Sequence, residues 1–159
     1  MTHKQSLITA SVLALGLLLF IACGSPSDQP LPGAIYSGAL QVSEEGRNAT
    51  AKGGEIEFTL TQDGTGIASV GYSLNDFVCT IHNVVIQGDG WTSRIESVQT
   101  VPIEKGSFKF ELGDISVNGK FSSGTKASGT MKISKEEQPA GGPSHTCDYG
   151  TWYWSAAVR

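Results

Sequence analysis

Beyond its first two dozen residues the chain has no stretch with apolar residues at helical spacing and caps to bound it, which argues against a helical fold. Charged residues are scarce, at 16% against about 25% in average usage. Basic residues are the rarer sign, 11 against 15 acidic, and a formal charge of −4 with a pI near 5.3 leaves no basic footprint for nucleic acid. Catalytic signatures are missing too: there is no G-x-S-x-G elbow, no H-E-x-x-H pair and no D-x-D-x-D-G calcium loop. Glycine is abundant, with 20 residues, but it has no three-residue period, which excludes a collagen-like chain. The 39% of hydrophobic residues suffices for a core, and 159 residues suffice for one ordinary domain.

The N-terminus reads as an address. A short polar start with Lys4 leads into the apolar run Leu7–Ala22, LITASVLALGLLLFIA, and then Cys23-Gly24-Ser25. The run is about 16 residues, short of the roughly 20 that span a bilayer as a helix, and its charge pattern is that of a secretory signal. Phe20-Ile21-Ala22-Cys23 resembles the lipobox of bacterial lipoproteins, with Phe20 where Leu is commonest. The resemblance implies cleavage after Ala22, diacylglycerol on the Cys23 thiol and a further acyl chain on the new amine. It also implies a protein held by lipid on the extracytoplasmic face of a bacterial membrane. Gly24 is not the Asp that often retains such proteins at an inner membrane, so an outer membrane is allowed. Removing Lys4 with the leader leaves 10 of 11 basic residues against 15 acidic, a balance unsuited to lying against anionic lipid.

Residues 23–33, with three prolines in GSPSDQPLPG, read as a lipidated flexible tether, and residues 34–159 as a single domain. With Cys23 lipidated, Cys79 and Cys147 remain as an even pair in an oxidising compartment, for which a disulfide is the expectation. Two alternatives stand beside it: free thiols, or a Cys₂His₂ metal site with His82 and His145. Alternation along a strand puts Cys79 and His82 on opposite faces, so no metal is expected.

Strand periodicity dominates from Ile35 onward. Ile56, Phe58 and Leu60 alternate before the turn signal Asp63-Gly64, and Gly66–Tyr72 reads as the return strand. Phe77–Ile86 reads as a further strand ended by Gly88-Asp89-Gly90, with Trp91–Val98 after it. Inward sets follow: Phe108, Phe110 and Leu112; Ile115, Val117, Gly119 and Phe121; Ala127, Gly129, Met131 and Ile133; Trp152, Trp154, Ala156 and Val158. Glu136–His145 reads as a solvated loop. Eight or nine such strands predict an all-β antiparallel β-sandwich, with a small β-barrel as the alternative.

Val117-Asn118-Gly119-Lys120-Phe121, Ala127-Ser128-Gly129-Thr130, Cys147 and Trp154-Ser155-Ala156, in that order after Lys105-Gly106-Ser107-Phe108, resemble a class of uncharacterised bacterial secreted β-domains. The resemblance spans roughly Ile56 to Arg159 and implies architecture: glycines at close backbone approaches and aromatics in a core.

Glu111 and Asp114 flank a turn as a glycosidase acid pair would, and His145 lies near Cys147 and Asp148, but a strand-end acid pair is ordinarily a solvated rim. Alternation assigns Trp152 and Trp154 to the core and leaves Trp91, Tyr149 and Tyr153 as candidate ligand-contact aromatics. The expectation is a lipid-anchored cell-envelope lipoprotein whose β-domain is non-catalytic, needs no cofactor and binds an envelope protein or glycan. The alternative is a small envelope hydrolase acting on glycan or ester.

Overall fold

The computed structural model describes residues 29–81, 84–138 and 142–159, and for 84, 89, 91–99 and 112 the backbone only. The leader, Cys23, His82 and Pro139 lie outside the described residues, as does the side chain of Trp91. Among the described residues there are nine strands and no helix: β1 (Ile35–Glu44), β2 (Ala49–Thr50), β3 (Gly53–Leu60), β4 (Gly66–Ile81), β5 (Val84–Pro102), β6 (Ser107–Leu112), β7 (Ile115–Ser123), β8 (Lys126–Glu137) and β9 (His145–Val158).

All pairings are antiparallel and join one sheet. Ala49 pairs with Cys79 and Gly53 with Asn75, so β2 and β3 are one interrupted strand in a single register against β4. Across the sheet the order is therefore β5-β4-β3-β1-β9-β8-β7-β6, an up-and-down meander whose first and last long strands pair with each other. The sheet is not closed into a barrel: among the described residues no ladder joins β5 to β6, and the isolated bridge Glu104–Ser107 spans the tight turn at Lys105 (φ 50) and Gly106 (φ 74) that connects them. The barrel alternative is thereby set aside.

The two layers expected of a sandwich are halves of this one sheet. On a flat sheet β3 and β6 would stand five strand spacings apart, about 24 Å, yet the rings of Phe58 and Phe108 are 5.6 Å apart. Tyr36 on β1 meets Phe121 on β7 at 5.3 Å. One face of the sheet thus curls over a single core in which Tyr36, Phe58, Phe108, Phe121 and Trp154 form one aromatic cluster.

Glycine spacing explains how five large rings fit. Phe108, Gly119, Gly129 and Trp154 form one cross-strand row, and Phe121, Ala127 and Ala156 the next. A Cβ on Gly119 would sit 2.2 Å from Phe108 Cζ, and one on Gly129 would sit 2.8 Å from Trp154 Cζ2. The missing side chains of the middle strands are the space that the flanking rings occupy.

The structure moves three boundaries. β4 is unbroken from Gly66 to Ile81, where two strands were expected, and the chain reverses after Ile81 rather than at Gly88-Asp89-Gly90. Those glycines lie inside β5: Phe77 places its Cζ 2.8 Å from where a Gly88 Cβ would be, and Asp76 takes a left-handed φ of 47 without breaking the register. Of the segment expected to be a tether, the part from Leu31 to Gly33 is fastened to the sheet. Pro32 packs on Gly64, the Gly33 N–H donates to the Thr61 carbonyl (2.8 Å), and the Tyr36 hydroxyl accepts from the Leu31 N–H while donating to the Gly124 carbonyl (2.6 Å). The expected Glu136–His145 loop is likewise shortened, since β8 reaches Glu137 and β9 starts at His145.

Candidate functional site: the outer face around Tyr153

Alternation along β9 sends Trp152, Trp154 and Ala156 inward and leaves Tyr153 outward at 59% exposure. Cross-strand pairing sets Tyr153 beside Thr130 on one side and Gln41 on the other, and the row continues through Asn118 to Lys109. The adjacent outward row runs Ser107, Lys120, Ser128, Ser155. A shallow depression of ≈ 610 Å³ lies against Tyr153's neighbour Thr130, with Lys109, Asn118, Lys120 and Ser128 in its lining and Glu104 from the turn after β5. An acidic chain thus carries a face of exposed lysines, hydroxyls and amides with one exposed aromatic ring.

Tyr149 is a correction. Counting back by twos from Trp152 puts it on the outer face, but the structure buries it to 1%. Ile133 pairs with Gly150 and Ser134 with Asp148, so Tyr149 is the extra residue of a bulge at Gly150 (φ 75) that reverses the alternation. Its ring packs edge-on to Phe77 at 6.5 Å and its carbonyl accepts from Trp152 Nε1 (3.1 Å). Burial, with the Glu137 carboxylate adding to it, pushes its hydroxyl up to about 12.

Cys79 and Cys147 form a disulfide between β4 and β9, buried at the far end of the sheet from the tether. With each sulfur bonded to the other, the Cys₂His₂ alternative loses its two thiolates. Asn48 clamps the same region: its Nδ2 donates to the Thr146 carbonyl (3.0 Å), its Oδ1 accepts from the Asp148 N–H (3.0 Å), and its carbonyl accepts from Thr80. Asn48-Ala49-Thr50, which also spells a glycosylation sequon, is in this fold a strap over the bridge.

The acids and histidine of the hydrolase alternative are not brought together. Glu111 is level with Lys132 of β8 and the Asp114 carbonyl accepts from the Ser134 N–H, whereas His145 stands opposite Glu137, five residues beyond Lys132 and three beyond Ser134, roughly 17 and 10 Å farther along the sheet at strand spacing. Lys109, Lys120, Asn118, Thr130 and Gln41 are the residues that sequence reasoning did not single out. For Lys109, Asn118, Lys120 and Thr130 the signal was alternation itself, since each lies between residues assigned to the core; Gln41 had none, because no inward set was assigned in β1. No family model matches the chain, and neither curated proteins nor solved structures yield a match.

Proposed function

We propose that this chain is a cell-envelope lipoprotein, anchored through Cys23 on the extracytoplasmic face of a bacterial membrane, whose β-domain is a non-catalytic binding module for envelope glycan. Tyr153 carries the reading. A tyrosine ring standing in water, flanked across strands by Thr130 and Gln41, offers an apolar platform for the C–H face of a sugar ring with hydroxyl and amide partners beside it. Lys109 and Lys120 extend the same face with donors suited to acidic substituents on that glycan. A buried disulfide supports the compartment, because such bonds persist where thiols are not kept reduced.

Two measurements test the two halves. Metabolic labelling with a fatty-acid analogue marks the wild-type chain and not Cys23→Ala; equal labelling of both refutes the anchor. Isolated envelope glycan retains the wild-type protein and releases Tyr153→Ala; equal retention of the two refutes this face as the binding surface.

A further inference from the structure

We propose that β6 is an open edge through which a second copy of this chain adds its own β6, antiparallel, with Lys109 of one copy opposite Glu111 of the other. This goes beyond the glycan-binding reading and stands on the backbone.

The phase of the ladder shows which groups the edge presents. Leu112 and Ile115 close the two-residue turn at Gly113-Asp114, which makes them a hydrogen-bonded pair. Phe110 and Phe108 share that phase and direct their N–H and C=O toward β7, and the Phe121 N–H donating to the Gly106 carbonyl (2.8 Å) continues it. Ser107 exchanges its pair with Glu104 at 2.9 and 2.8 Å. Lys109 and Glu111 are left, each directing one N–H and one C=O away from β7, where among the described residues β5 forms no ladder.

The sequence of this edge complements itself in one register. A two-fold axis through Phe110 sets Lys109 against Glu111 of the partner subunit twice, and these are the two residues whose backbone groups face outward. Four N–H···O=C bonds and two opposite-charge pairs form together. Shifting the axis to Lys109 sets lysine against lysine, and shifting it to Glu111 sets glutamate against glutamate, so the neighbouring symmetric registers repel. Phe110, packed on the Phe108 ring at 6.4 Å but only partly buried, meets its own copy across the axis and gains the cover it lacks. The joined sheet keeps both Tyr153 residues on one continuous face.

The test uses the full chain purified in detergent, followed by sedimentation from about 1 μM to about 1 mM. Wild type shows a monomer–dimer equilibrium. Lys109→Glu and Glu111→Lys each put like charges at both pairs and weaken it by about tenfold or more. The double exchange restores wild-type affinity to within about threefold, which a folding defect cannot do. Phe110→Cys cross-links under mild oxidation, because the paired Cα atoms of a non-hydrogen-bonded position stand about 4.5 Å apart, while wild type under the same conditions does not. A wild type that stays monomeric throughout, single variants that dimerise like wild type, a double exchange as weak as the singles, or no cross-link at position 110 overturns the proposal.

Discussion

Restoring a single methyl group at Gly119 tests whether the curled core depends on its empty row. The added Cβ of Gly119→Ala would lie 2.2 Å from Phe108 Cζ, whereas carbon atoms settle at about 3.5–4.0 Å, so the ring must retreat by about 1.5 Å. On the core side its retreat is blocked by Phe58 at 5.6 Å, Phe121 at 5.8 Å and Trp154 at 6.1 Å, centroid to centroid. Overpacking of this kind costs about 1–3 kcal/mol, which outweighs the roughly 0.5–1 kcal/mol that alanine gains over glycine in a strand. Phe108→Ala alone removes the ring and costs about 3–5 kcal/mol. In that background Gly119→Ala has no ring to strike, so its effect falls to zero or turns favourable, giving a coupling of about 1–3 kcal/mol. Urea unfolding of the four proteins, with near-ultraviolet dichroism reporting the aromatic packing, reads these numbers. If Gly119→Ala destabilises equally with and without Phe108, the collision is not the reason for glycine, and this account of the core fails.

Removing the bridge with Cys79→Ala/Cys147→Ala opens a loop of sequence separation 68 and lowers stability by about 4 kcal/mol in the chain-entropy model; a thermal midpoint matching wild type refutes that. Asp63 accepts from the Thr61 hydroxyl, the Thr65 N–H and the Thr65 hydroxyl, which holds its carboxyl down at about 2. Its stabilising effect is therefore complete above the ordinary carboxylate value near 3.9 and fades as pH falls toward about 2. Urea midpoints between pH 5 and pH 2 show a wild-type decline that is steeper than that of Asp63→Asn, and parallel curves refute the turn network. Tyr153→Ala leaves stability within about 0.5 kcal/mol, as an exposed substitution should, and a larger loss by urea unfolding would place the ring in the packing rather than on a binding face.

Much of the fold was legible because each strand carries one alternating inward set. Ile56, Phe58 and Leu60, or Ile115, Val117 and Phe121, need no tertiary information to be assigned to the core. The phrases G-x-F, A-x-G-T and W-x-A were legible as a pattern but not as a geometry. Only the register shows that Gly119 and Gly129 stand between Phe108 and Trp154, and that Phe121, Ala127 and Ala156 repeat the large–small exchange one row on. What failed were positions where the two-residue period is interrupted. The bulge at Gly150 reversed Tyr149, and β4 and β5 stay paired past the glycines that read as a turn, with Asp76 at a left-handed φ between Asn75 and Phe77. A bulge changes which residues face inward without changing composition, so a periodicity count passes over it. The tether's end was missed for a different reason: Pro30 and Pro32 look like linker residues, and the partner that fastens the segment, the Thr61–Gly66 turn, is distant in sequence.

The lipid anchor and the edge pairing, both proposals, would constrain each other. From Cys23 to Gln29 is six residue steps, at most about 20 Å of extended chain, so a lipid on Cys23 keeps the tether end of the sheet within about that distance of the bilayer. That end carries the turns at Asp63-Gly64, Lys105-Gly106 and Ser123–Thr125, with Arg159 hydrogen-bonded to Ile35; the disulfide lies at the other. Antiparallel pairing of two β6 strands reverses one copy relative to the other along the strand direction. If the strands stood upright on the membrane, the second copy would hold its tether end about a strand's length above the surface, beyond reach of its lipid. Both lipids reach one bilayer only when the strands lie along it, with the two-fold axis upright and the two tethers at opposite ends of the dimer. In that posture the β6–β9 layers of both copies face the same way. Glycan binding at Tyr153, as proposed, would then select the orientation in which the Tyr153 rows face away from the lipid, side by side on one joined sheet.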